Sequence, residues 1–263
     1  EMHPSKSLLQ NIKEQILDRN KLLFGEPRFI LNDELSETST YFSILQVIAA
    51  GNHKLGDIAT ALQMQSNRLT AHLDKLRELD LIERVVPVTE INPAKSRKGL
   101  YVIKDLYFRF WFRYIFPYQG ELEMGRPENI LSRIQREWNE YMGFVFEEVC
   151  RQLVYYYSPF SIQRSGNYWE KELEIDLMAL NETSKEILFG ECKWSNQPTD
   201  LRVYNELVAK AEKVPWHNEK RKEYFILFSK NGFHSSLINK AKTNRNIILI
   251  DWRKINSIKL VKS

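Results

Sequence analysis

Apolar positions recur at helical spacing through much of the N-terminal half and gather into short continuous runs further on. Residues 6–20 carry Leu9, Ile12, Ile16 and Leu17 at helical intervals, which predicts a helix. Its own segment offers it little to pack on, so residues 1–39 are expected to be the remnant of a module N-terminal to it. Residues 40–104 then predict three helices and a two-stranded hairpin. Phe42, Leu45, Val47 and Ile48 open the first helix, which Gly51 can end. Leu55, Ile58, Ala59 and Leu62 mark a short second helix. Ser66 suits the N-cap of a third, with Leu69, Leu73, Leu76 and Leu79 on its inner face. Leu81 to Val88 reads as a strand, Asn92 to Gly99 as a polar turn, and Leu100 to Ile103 as a second strand.

That order is a winged helix-turn-helix. Residues 105–140 are aromatic-rich and then helical. Gly120, Gly125 and Pro127 make the segment between them the best domain boundary. We therefore expect a winged helix and aromatic linker over 40–125, and a second domain over 126–263. Met142, Val145, Phe146, Val149 and Leu153 predict an amphipathic helix opening the second domain. A strand at Phe160–Arg164 and a turn at Ser165–Asn167 should follow. Then come strands Leu173–Leu180 and Ile187–Trp194, joined by the turn-rich Asn181–Ser184. A helix over Asp200–Val214, a strand at Tyr224–Phe228, a helix near Ser236–Lys242 and a strand at Ile247–Ile250 complete it. The succession α-β-β-β-α-β-α-β describes a mixed sheet with helices packed on it, an α+β or α/β domain.

Composition narrows the class without choosing a function. The 263 residues are 43% hydrophobic and 27% charged, ordinary for a globular protein. No apolar run approaches the roughly 20 residues of a membrane span, and no secretory signal opens the chain. Cys150 and Cys192 make neither a disulfide framework nor a zinc cluster, and both read as reduced core residues of a cytoplasmic protein. His217 and His234 are isolated, so zinc is not expected. The net charge of +4 permits nucleic-acid binding, but local charge must argue for it. A homo-oligomer is as compatible with this composition as a monomer.

The chemistry lies where charge interrupts the apolar runs, at Glu174-Ile175-Asp176 and Glu191-Cys192-Lys193. Charges in sheet core are costly unless they are paired or bind a metal. Alternation puts Glu174 and Asp176 on one face, and Glu191 with Lys193 on one face; Cys192 should face the opposite, apolar side. A hairpin brings the two clusters together. Asp176 and Glu191 would hold Mg²⁺ or Mn²⁺, with the Cys192 carbonyl as an extra ligand. Lys193 would orient an attacking water or balance charge on a phosphorane. The preceding helix adds Glu147 and Glu148. Periodicity does not choose between them, although Glu148 lies nearer the buried edge. A lone E-x-K is usually a surface ladder; a helix Glu, E-x-D and E-x-K in this order raise the case for a phosphodiester-cleaving site.

The third helix of the winged domain should expose Asn67, Arg68, Thr70, Ala71 and Lys75, where recognition helices read base edges. His72 lies on its flank, and Asp74 would repel phosphate. The wing supplies Lys95, Arg97 and Lys98 for phosphate contacts. Basic residues Lys95, Arg97, Lys98, Lys104, Arg109 and Arg113 stand against the acid Asp105, with aromatics between them. Base stacking is one use of those rings; packing between the two domains is the favoured one for the Phe and Trp residues. Trp194-Ser195 reads as a strand-end aromatic and a turn.

The helix Glu with E-x-D and E-x-K resembles the PD-(D/E)XK nuclease superfamily, over about Gly143 to Trp194. The Gly143-x-x-x-Glu147 spacing is similar to the opening helix of archaeal junction resolvases, and this resemblance favours Glu147. More widely, Phe29-Ile30-Leu31, Tyr41 to Gly51, Glu83 to Glu90, Lys98-Gly99 and Arg109 to Arg113 resemble archaeal-type DEXX-box ATPases of the P-loop AAA+/STAND group. Glu174-Ile175-Asp176, Phe189 to Trp194 and Leu227-Phe228-Ser229 extend that likeness, which runs from about Leu8 to the end. It implies an ATPase module followed by a winged helix and a restriction-endonuclease-like domain. The G-x-x-x-x-G-K-[ST] loop is absent, so ATP belongs to a missing N-terminal module and the chain is expected to be a fragment. The expected function is a DNA-binding, metal-dependent nuclease module of such an ATPase. The alternative is a non-catalytic DNA- or protein-binding sensor.

Overall fold

The computed structural model describes residues 2–35 and 37–257, so the last six residues of the expected 126–263 domain lie outside the described residues. The chain forms two compact units. The first comprises Glu1–Val85 and Arg97–Trp138, the second Val86–Ser96 and Asn139–Ser263. The division therefore falls at Trp138/Asn139, whereas the glycines and proline suggested 125/126.

The first unit opens with α1 (Leu8–Asn11), held by a capping box between Ser7 and Gln10, and continues as a π-helical turn over Ile12–Ile16. A second helix, α2 (Leu22–Glu34), was not expected from the sequence, because Gly25 and Pro27 interrupt its pattern. Ile12, Ile16, Leu17, Phe24 and Leu31 are all buried, so these helices contribute to the core of their unit. Next come α3 (Thr38–Ala49), α4 (Leu55–Ala61) and α5 (Ser66–Glu78), then the antiparallel pair β1 (Ile82–Val85) and β2 (Leu100–Ile103). Helices α6 (Leu106–Tyr114) and α7 (Gln119–Glu123) follow. Pro27 has no N–H to offer the Leu23 carbonyl four residues back. The Tyr107 hydroxyl donates to that carbonyl instead, at 2.5 Å, and the Trp111 indole N–H donates to the Phe24 carbonyl at 2.8 Å. Side chains of α6 thus complete the hydrogen bonding of α2.

Helix α8 (Glu128–Tyr157) leads into the second unit. Its sheet runs in the order β3 (Arg164–Glu170), β4 (Leu173–Asn181), β5 (Glu186–Lys193), β6 (Lys222–Ser229) and β7 (Ile247–Asp251). The first two pairings are antiparallel and the last two parallel. Helices α9 (Leu201–Ala211) and α10 (Ser235–Thr243) make the crossovers, and α11 (Trp252–Ser257) follows β7. Alternation splits the core in two. Phe225 and Leu227 pack with Leu207 of α9 and Leu237 of α10, while Ile226 and Phe228 pack with Phe146, Cys150 and Val154 of α8. Fold class is therefore mixed α and β: a helical N-terminal region, then a five-stranded mixed sheet with helices. Among the described residues no helix is long and apolar enough to cross a membrane.

Two local expectations need correction. The strand placed at Phe160–Arg164 lies at Arg164–Glu170, and the supposed turn at Ser165–Asn167 is inside it. The chain reverses instead after Glu170, with Lys171 in the left-handed region. Gly166 marks an irregularity in the ladder: Gly166 faces Met178 and Tyr168 faces Ile175, so Asp176 and Leu177 share the partner Asn167. In addition, Ser66 is the first residue of α5 rather than its cap; Gln65 holds the cap position without a side-chain bond.

Candidate functional site

The site grows from the β4–β5 hairpin. The Asn181 side-chain oxygen accepts the N–H groups of Thr183 and Ser184, which fixes the turn. Pairing runs from Asn181 opposite Glu186 to Leu177 opposite Gly190 and ends there. Just beyond, Asp176 Oδ2 accepts the Cys192 N–H at 2.8 Å. A side chain replaces the missing strand partner, and the bulge opposite Asn167 aims it there. The Cys192 side chain packs on the α8 side of the sheet with Cys150, as alternation required.

Glu191 is 6% exposed. Lys193 Nζ donates to its Oε1 at 2.6 Å, and Lys210 Nζ from α9 donates to its Oε2 at 3.3 Å. Burial and the adjacent Glu191 charge push the Asp176 carboxyl up to about 6, against the pull of the Cys192 N–H, Lys193 and Lys210. Burial and the charge of Asp176 push Glu147 up to about 7, with smaller contributions from Glu174 and Glu191 and opposition from Arg151. Burial favours the neutral form of Lys193, but its bond to Glu191 and the charges of Glu191 and Asp176 outweigh this and raise its pKa. Ionisable groups perturbed by burial and specific charged neighbours cluster at functional sites, and structural ion-pair networks produce them too. Glu148 differs: burial raises it, yet bonds from Arg151 bring it below the usual carboxylate range. Electrostatics thus ties Glu147, not Glu148, to the strand carboxylates.

Glu147, Asp176, Glu191 and Lys193 accordingly share one electrostatic neighbourhood. Lys210 joins them without having been anticipated. Its one trace in the sequence is its position beside Leu207 and Ala211, on the edge of the buried face of α9. Among the described residues no three His, Cys, Asp or Glu side chains stand together as a metal cage. The carboxylates that could hold an ion are those of Asp176 and Glu191, whose charges act on each other. Two hard oxygen donors suit Mg²⁺, which keeps several waters and takes one or two carboxylates.

The expected nucleic-acid contacts divide. In the first unit Asn67, Arg68 and Lys75 of α5 are exposed, as are Arg97 and Lys98. Thr70 is half-buried and its hydroxyl donates to the Ser66 carbonyl. Arg77 neutralises Asp74 at 3.0 Å, removing part of the acidic objection. Lys95 is exposed but folds with the second unit, in the segment whose Val88 N–H donates to the Asn167 carbonyl at 2.9 Å. The basic run thins further: Lys104 pairs with Asp80, Arg113 with Glu137, and Arg109 is buried. Phe110, Trp111, Phe112 and Tyr114 are buried too; Trp111 and Phe112 meet Phe42 edge-on. Those rings are core and cannot stack on bases. Trp194 lies against Phe146 and Trp252, with Lys230 over its face at 4.5 Å.

A family profile described as archaeal and bacterial proteins of unknown function, DUF234, matches residues 111–212. That stretch holds α8, the β3–β5 meander and α9, hence every member of the charged site. An uncharacterized protein of Methanocaldococcus jannaschii is 39% identical over 210 residues, which are 77% of this chain and 47% of that protein. The chain thus spans about half the length of this curated relative. No solved structure matches the chain.

Proposed function

We propose that the second unit is a divalent-metal-dependent, phosphodiester-cleaving module of restriction-endonuclease-like type, and that the first unit carries a DNA-binding winged helix. In this reading they are the C-terminal part of an ATPase, whose nucleotide turnover, in a module outside this chain, gates DNA engagement. The observation that supports it best is the placement of Asp176. Its carboxylate closes the gap where β4 and β5 part, next to buried Glu191, which is itself bonded to Lys193.

Asp176 and Glu191 would hold Mg²⁺ or Mn²⁺, which supplies an acidified water and polarises the phosphate. Lys193, charged and fixed against Glu191, would balance negative charge developing on the phosphoryl oxygens. Glu147 would reach the ion through water. Exposed Asn67, Arg68 and Lys75 would face the major groove, with Arg97 and Lys98 on the backbone.

Supercoiled plasmid with Mg²⁺ or Mn²⁺ provides the test. Wild type should nick it, and Lys193→Ala and Asp176→Asn should lose about 10²-fold or more of the rate. Equal cutting by wild type and both variants would remove the catalytic reading. A second reading, a non-catalytic DNA- or protein-binding regulator, draws on one observation: both Glu191 oxygens are already bonded to lysines. It predicts DNA retention that Arg68→Ala and Arg97→Ala weaken, with no cleavage.

A further inference from the structure

Glu191 is a buried carboxylate with a different ammonium on each oxygen, and the two ammoniums are not equivalent. Lys193 stands two residues away on the same strand, 2.6 Å from Oε1, so the strand itself fixes it. Lys210 comes from a separate helix and sits 3.3 Å from Oε2, a longer contact than that of Lys193, while the two side chains are similarly exposed, at 33% and 39%. A long stem at the border of solvent can withdraw its charged head into water at little cost. Oε2 is thus the oxygen whose partner can leave. Lys210 also acts electrostatically on Asp176, so it belongs to the carboxylate pair and not to Glu191 alone.

We propose that Lys210 is a built-in counter-ion at the cation seat of the Asp176–Glu191 pair, and that a divalent ion enters by displacing it from Glu191. The inference rests on reading that pair as a metal site. An ammonium and a divalent cation on the same carboxylate oxygen repel each other, so the two states exclude one another. In the ion-free state Lys210 adds to Lys193 in compensating the charges of buried Glu191 and half-buried Asp176. In the loaded state it is released towards solvent, while Lys193 stays on Oε1. Lys210 is therefore a positioning residue that sets how readily the ion is taken up.

The test is Mn²⁺ titration of the full chain, followed by calorimetry and by the paramagnetic resonance of free Mn²⁺. Lys210→Met should bind Mn²⁺ at least about tenfold more tightly than wild type, because the competitor is gone. Lys210→Gln, which keeps a hydrogen-bond donor for Oε2, should tighten binding as well and covers the case in which the methionine variant folds poorly. Lys210→Arg should stay at or below wild-type affinity. Adding Asp176→Asn should abolish binding in every background, locating the ion. Equal or weaker Mn²⁺ binding in Lys210→Met and Lys210→Gln, still dependent on Asp176, would overturn the counter-ion role and leave the metal site standing. Absence of Asp176-dependent binding in all variants would overturn both.

Discussion

A carboxylate withdrawn from water next to another carries an energetic penalty, and half-buried Asp176 and buried Glu191 incur it. That penalty is what made them legible. Three acids and a lysine inside apolar strand sequence are improbable for packing alone, so Glu174-x-Asp176 and Glu191-x-Lys193 stood out. Lys210 did not, because a lysine in the last turn of a helix is ordinary. The choice between Glu147 and Glu148 also needed three dimensions, since the charge of Asp176 acts on the first and the Arg151 bond holds the second. A residue of the first unit behaves in the opposite sense. His53 is half-buried and its Nδ1–H donates to the Tyr101 carbonyl at 2.9 Å. Burial lowers its pKa, the Tyr101 bond opposes this, and the nearby Arg109 charge lowers it further. The unfolded chain therefore takes up the proton first, near the ordinary value of about 6.5. The stability contribution is complete above that pH and is lost as pH falls through the folded-state pKa. Urea denaturation at pH 7.5 and pH 5 should show the loss in wild type and a smaller one in His53→Gln; equal losses would mean that His53 does not titrate as described.

At the scale of elements, the β4–β5 hairpin and α8 were visible as patterns, and the failures have physical causes. Gly166 reads as a turn in the sequence because glycine marks both turns and bulges; in the structure it lies at the ladder irregularity opposite Asp176 and Leu177. Helix α2 is hidden in the local pattern because Pro27 breaks the helical rule, and the bond that replaces its missing N–H comes from Tyr107, some eighty residues later. Gly190 shows how tightly the site strand is built. A Cβ there would lie 2.9 Å from Leu177 Cβ and 3.1 Å from Ile226 Cγ2, both side-chain atoms of the buried layer under α8. Gly190→Ala should therefore destabilise the second unit by about 1–3 kcal/mol through overpacking. Thermal unfolding followed by tryptophan fluorescence would measure it, and an unchanged midpoint would show that Leu177 and Ile226 can yield.

For the whole molecule, the chain passes between its two units at 85/86, 96/97 and 138/139. The segment joining β1 to β2 folds with the sheet unit, an arrangement the local pattern of a wing could not reveal. Residues 111–212, matched by the family profile, include all five charged residues of the site, and the Methanocaldococcus jannaschii protein extends well beyond the length shared with this chain. In the proposed reading, the chemistry of the second unit depends on whether the β4–β5 hairpin, with α8 and α9 beside it, binds a divalent ion. Crystals grown or soaked with Mn²⁺ and measured near the manganese absorption edge put that directly to the test. The account predicts one anomalous peak within about 2.2 Å of an oxygen of Asp176 and an oxygen of Glu191, with Lys210 withdrawn. A structure with no peak there, and with Lys193 and Lys210 both still bonded to Glu191, would contradict it.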